Sequence, residues 1–182
     1  GNGLLINHGG SSGNIAVFQS SAANKARIDK NGKGFFNGGT QSSGADVAEA
    51  FDVTGNRSMY EPGDILVIAT SADRTVERSS EPYSTLVAGV YATKPGVLLT
   101  EKDVDESLED MVPMGVVGVI PTKVTTENGP IHRGDLLVTS STAGHAMRGD
   151  RDRVEPGMVI GKALQDYDGT EPGTIKVLVN VK

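Results

Sequence analysis

The sequence predicts a mainly β protein in two parts: an N-terminal β stalk that partner chains complete, then a C-terminal β-barrel or sandwich domain with an internal duplication. Three observations carry this expectation. Apolar residues come in short, β-branched runs bounded by Gly, Pro or charge, as in DILVIA, STLVAGVY, GVVGVI, DLLVTS and IKVLVNV, which is how strands read. The first 45 residues are rich in Gly, Asn and Ser and poor in apolar side chains. Two stretches of the remainder, starting at Pro62 and at Arg133, repeat one order of turn, strand, polar tip, short strand and Pro-containing loop.

In the stalk, residues 1–45, short strands are expected at Leu4–Asn7, Ile15–Gln19, Lys25–Asp29 and Gly34–Asn37. The Asn31-Gly32 pair between the last two is a strong hairpin signal. Ile15, Val17, Phe18, Ile28, Phe35 and Phe36 supply most of the apolar surface, with Leu4, Leu5 and Ile6. Chains below about 40 residues usually need a metal, a disulfide or a partner. The protein has no Cys, and no metal-ligand spacing is visible, so partner chains are the expected source of a core.

In the C-terminal domain, residues 46–182, the repeat units fall at about 61–97 and 132–169. Gly63-Asp64 matches Gly134-Asp135, Val76 matches Met147, and Gly89 matches Gly161. A Gly inside a strand marks a bulge or a close backbone approach. The stretch VPMGVVGVIPTKVTTENGPI between the repeats predicts a strand pair turning at Asn128-Gly129, and TIKVLVNVK predicts a closing strand. Helical pieces are expected only at ADVAEAF and EKDVDESLED.

The totals exclude several classes. A chain of 182 residues can bury roughly 70% of its unfolded surface, enough for one domain and an appendage. It begins GNGLL rather than with Met, so a fragment or processed product is expected. Without Cys there are no disulfides, thiolate metal sites or Cys nucleophiles. Net charge is −6, which does not attract phosphate backbones, so no nucleic acid partner is expected. No apolar run approaches the roughly 20 residues of a membrane span, and no signal peptide is visible. Motifs of nucleotide loops and of the nucleophile elbow are missing, so neither a cofactor nor a conventional metabolic enzyme is expected.

Asp46 and Glu49 are the candidate catalytic residues. On a helix they would share a face, and paired carboxylates there could share a proton and act as a general base. The same spacing also reads as a capping box, with Asp46 at the N-cap and Glu49 reaching back to it, and that reading is preferred. His8, His132 and His145 are isolated and read as loop residues, with no metal site. The acidic residues between Asp103 and Asp110 read as a solvated face. RGD occurs at Arg133–Asp135 and Arg148–Asp150, and a turn entering a strand accounts for it.

NKARIDKNGKGFFNGGT, in the first 45 residues, resembles the short β repeats of phage tail fibres and related fibre proteins. The segments ADVAE, EPGDILV, VAGV, NGPIHRGDLLVTSSTAGHAM, IGKAL and TIKVLVNV resemble the C-terminal domains that follow such fibres. The resemblance implies a homotrimer in a virion tail fibre or on an extracellular surface. It also implies a role in trimer register and in presenting a surface to a host-cell receptor, polysaccharide or protein. Some related domains, in tail spikes, are self-cleaving intramolecular chaperones. On that alternative the cut would fall within Gly39–Ala45, just before Asp46, with Asp46 and Glu49 as its acidic residues.

Overall fold

The computed structural model describes residues 3–182; residues 1 and 2, where the expected stalk begins, lie outside the described residues. Among the described residues there is no α-helix, and the chain divides into two units, Gly1–Gln41 and Ser42–Lys182.

The first unit is a three-stranded antiparallel sheet of β1 (Asn14–Ser20), β2 (Ala23–Asp29) and β3 (Gly34–Phe36), in that order. The β1–β2 connection is the two-residue turn Ser21-Ala22, both left-handed at φ 53° and 61°. Such turns follow the twist of a hairpin and normally use Asn or Gly, so no sequence signal marked it. The β2–β3 turn ends in Gly32 at φ 82°. Asp29 Oδ1 accepts the N–H groups of Asn31 and Lys33 and closes it. The strand expected at Leu4–Asn7 is not formed; Leu4 and Leu5 are each 78% exposed.

The second unit is one ten-stranded sheet. Its first half comprises β4 (Asp46–Val53), β5 (Ile65–Ile68), β6 (Thr75–Arg78), β7 (Val87–Tyr91) and β8 (Val97–Leu99). The long β9 (Val112–Val124) follows, then β10 (Leu136–Thr139), β11 (Ala146–Arg148), β12 (Gly161–Ala163) and β13 (Gly173–Asn180). The order is β11-β10-β12-β13-β9-β7-β5-β6-β4-β8, and β11 and β4 each also touch β9. β8 pairs with β4 on one side only, so the sheet keeps an open edge and is not a closed barrel.

Three sequence expectations are corrected here. ADVAEAF is the strand β4, because it lies between β8 and β9 and alternates buried Ala48 and Ala50 with half-buried Val47, Glu49 and Phe51. Tertiary pairing overrides its helical propensity. EKDVDESLED forms turns, having almost no apolar residue to anchor a helix. The predicted strand pair around Asn128-Gly129 is instead the single strand β9, which needs all 13 of its residues to serve both halves of the sheet.

The two halves share local geometry. β5 lies between β6 and β7, and β10 between β11 and β12. Each central strand enters from a turn in which Gly63 (φ 89°) or Gly134 (φ 90°) precedes an Asp. Asp64 Oδ2 accepts the Glu61 N–H, and Asp135 Oδ2 accepts the His132 N–H. Gly89 sits opposite Leu66, and Gly161 opposite Leu137. A Cβ on either glycine would overlap the neighbouring strand's backbone, which is why strand interiors keep Gly there.

Two clusters form the core. The larger joins both halves through Ile65, Val90, Ile120, Leu137, Ile160 and Val177. The smaller packs Tyr60, Leu66, Val76, Tyr91, Val112 and Met114 on the other face of the first half. Ile65 and Leu66 are adjacent and both fully buried, so β5 has no solvent face there.

Candidate functional site

The start of β4 holds the one candidate of the sequence that acquires an unusual environment. The chain enters through Gly44, whose missing Cβ lets it press against the Gly96 backbone. The Ala45 carbonyl accepts the Val119 N–H (3.2 Å), and the Asp46 carbonyl accepts the Gly96 N–H (2.8 Å). Gly118, left-handed at φ 126°, lies against the Asp46 backbone, where any side chain would collide. Three glycines thus clamp one peptide segment from both sides.

Asp46 itself is 9% exposed. Opposite Gly118 and in line with Val179, it faces the main core. Its Oδ2 is buried and has no hydrogen-bond partner among the described residues. Loss of hydration without a compensating partner disfavours the ionised form, and desolvation raises the carboxyl above the ordinary Asp range.

Glu49 sits elsewhere. Successive side chains of a strand alternate faces, so residues three apart point to opposite faces, about 10 Å apart along the chain. Glu49 pairs with Arg74 at 2.9 Å, and Arg74 also holds Glu101 at 3.1 Å. The hydrogen bond to Glu49, more than the charge of Glu101, keeps the Arg74 guanidinium raised. The capping box and the paired-carboxylate face are therefore both replaced: β4 separates the two residues. Arg74, left-handed at φ 50°, could not be paired with Glu49 from sequence, because the contact spans 25 residues and two strands.

The six expected stalk residues divide between two faces. Phe18, Ala26 and Phe36 stand in one cross-strand row, with Ile28 next to it on the same face. Val17, Arg27 and Phe35 form the opposite row, and the Arg27 guanidinium lies 3.4 Å from the Phe35 ring centre. Ile15 occupies a bulge between Asn14 and Ala16. None of the six is buried; Phe18 and Phe36 are each 54% exposed.

The remaining candidates form no site: Arg148 of the second RGD ends β11, and the others lie in loops and turns. Asp135 of the first RGD closes its own turn, and the His145 ring contacts the Ala143 carbonyl. Among the described residues, no group of His, Cys, Asp or Glu is arranged to hold a metal, and no helix is long and apolar enough to cross a membrane.

A buried pair that the sequence did not announce lies at the repeat turn. Lys123 Nζ is 2.8 Å from Asp64 Oδ1 and 2.6 Å from Glu61 Oε2. Desolvation pulls the ammonium down, but the hydrogen bonds it donates to Asp64 and Glu61 outweigh that and hold the group above the usual lysine range. Its position on β9 ties that strand to the β5 turn.

No protein-family model matches the chain, and no curated protein matches it. Among solved structures, it is similar in fold to the pre-mature bacteriophage phi29 gene product 12, at a TM-score of 0.59 and 14% identity over 87% of this chain. The match covers 24% of that protein, so this chain spans about a quarter of its length. A second similarity is to the N base of the phi29 head fibre gp8.5, with a TM-score of 0.35, 18% identity, and 74% and 97% of the two chains covered. At that score it carries no argument about fold.

Proposed function

We propose that this chain is a structural segment of a trimeric phage-type tail fibre, in which the first unit is a stalk completed by two further copies. The observation that carries this reading is the burial of the first unit. It has three ordered strands, and none of its described residues is buried. The apolar face of a sheet must be buried against another element, and the row Phe18–Ala26–Phe36 is such a face left half exposed. Similarity in fold to a phage gene product gives the reading its context. The second unit, with its own two cores, is the body that the stalk sets in register and that presents the host-binding surface. The matched turns and matched Gly89 and Gly161 support its descent from a duplicated β unit.

The test is native mass spectrometry of the intact protein and of Phe36→Ser. The reading expects a trimer that the substitution dissociates to monomer over micromolar concentrations. A monomeric wild type sinks it.

One observation favours a second reading, self-cleavage before Asp46. A buried carboxyl whose desolvation favours the protonated form can take part in proton transfer, and Asp46 directly follows the stretch Gly39–Ala45. Glu49, held by Arg74 on the other face, would act only from a different arrangement of β4. Protein expressed with its upstream sequence should then appear as two pieces, and Asp46→Asn should leave one. If both stay whole, self-cleavage is excluded.

A further inference from the structure

The second unit carries an apolar outer face that no other described part of that unit covers. Strand register puts Leu136, Lys162, Leu178 and Val119 in one row across β10, β12, β13 and β9. The next row runs Asn180, Val117, Val47 and Val97 onto β4 and β8. Leu178 is 44% exposed and Val117 47%. At one end of this face is a groove of about 290 Å³, floored by Leu136, Val159 and Leu178 and rimmed by Lys162 and Lys182. Neither lysine joins an ion pair among the described residues. In a chain of net charge −6, two uncompensated lysines around an apolar floor select an occupant that is acidic with an apolar centre.

The same chain presents such a segment. The loop after β8 reads Glu101-Lys102-Asp103-Val104-Asp105-Glu106. Val104 is 97% exposed and flanked by two carboxylates, Asp103 and Asp105. Neither has a cationic partner among the described residues. Groove and loop belong to opposite ends of the strand order, β10–β12–β13 and β8. Two different, complementary surfaces on one chain generate a head-to-tail contact, and such contacts close into rings when the rotation allows.

We infer that the second unit docks head-to-tail on a second copy of this chain, with Val104 of one copy seated on Leu178 of the next and Asp103 and Asp105 meeting its Lys162 and Lys182. This rests on the trimeric reading above and gives the C-terminal unit its own assembly surface, separate from the stalk. It assigns the acidic loop a job that its solvated-face reading left open. Like charges would repel a wrong register, so the contact also contributes to alignment of the copies.

The absence of native Cys makes the test clean. Both positions are exposed, so Val104→Cys and Leu178→Cys are made in the full chain, singly and together, and oxidised. The double variant is expected to run as a covalently closed trimer without reductant, while each single variant runs as a monomer. Lys162→Glu added to the double variant should lower the yield at least tenfold, and Asp103→Lys should restore it. If the double variant stays uncrosslinked or closes within one chain while native mass spectrometry still finds a trimer, this contact is wrong and the fibre reading stands. If the intact chain is monomeric, both fall.

Discussion

Residues 3–41 and residues 42–182 are both built from β-strands, all antiparallel in the first and mixed in the second, where β4 runs parallel to β6 and β8, yet they obey different energetics. The second unit buries Ile65, Leu66, Ile120, Leu137, Val177 and many more to near zero exposure. Among the described residues of the first, none is buried, and Phe18 and Phe36 stand half in water. Secondary structure alone is therefore no measure of autonomy. A sheet becomes a domain when its apolar face meets another layer; in the fibre reading proposed above, that layer comes from further copies of the chain.

The comparison predicts that substitutions within the second unit are felt by a single chain. The largest effect is expected from Leu137→Ala, which opens a cavity in the core joining both halves. It should cost about 3 kcal/mol and lower the melting temperature by about 10 °C. A cost below about 1 kcal/mol in denaturant titrations would mean that this core is loosely packed.

Next comes Lys123→Met. It strands the buried Asp64 carboxylate without its cation, at a cost of about 2 kcal/mol. The raised Lys123 pKa makes a pH prediction as well. Its stabilisation is fully present below the unfolded lysine value and is lost as pH rises through the folded one. Wild-type protein should therefore lose stability above about pH 10, and Lys123→Met should lose less. Parallel alkaline curves would remove the pair from the account.

A smaller change of opposite sign is expected at Asp46. A carboxyl whose folded pKa is raised favours folding only while protonated, and that advantage fades as pH climbs from the unfolded value through the folded one. Asp46→Asn should thus stabilise the protein at pH 7 by about 1 kcal/mol, because the neutral amide avoids the cost of desolvating an ionised carboxylate. At pH 3 it should change nothing. Equal melting temperatures at pH 7 would place a water or another group on Oδ2.

The smallest effect on the main unfolding transition, within about 1 kcal/mol, is expected from Phe36→Ser. Within one chain its ring has little burial to lose. A large drop in the stability of residues 42–182 would erase the distinction between the two units.

Much of this contrast was legible in the sequence. β-Branched runs bounded by Gly and Pro marked β5, β7, β10 and β13, and the shortage of apolar residues before Asp46 marked a unit without a core. Gly63-Asp64 and Gly134-Asp135 announced two turns of one geometry. Other features were hidden for physical reasons. ADVAEAF has helical propensity, but it is a strand because β8 and β9 flank it, and that pairing is set by residues 50 to 72 positions away. The left-handed Ser21-Ala22 turn has no Gly or Asn to reveal it. At the candidate site the two carboxylates were visible, and their separation was not: spacing of three joins residues on a helix and divides them on a strand. The burial of Asp46 depends on Gly44, Gly96 and Gly118, which come together only in the fold.

The most direct test of the central claim is native mass spectrometry of the intact, unmodified protein across a dilution series. The account predicts a species of three times the 18.9 kDa chain that persists at micromolar concentration, because each first unit finds its missing layer on the other two copies. A single 18.9 kDa species at every concentration, with the first three strands still protected from hydrogen exchange, would contradict it: the sheet would then stand without the partners that the account requires.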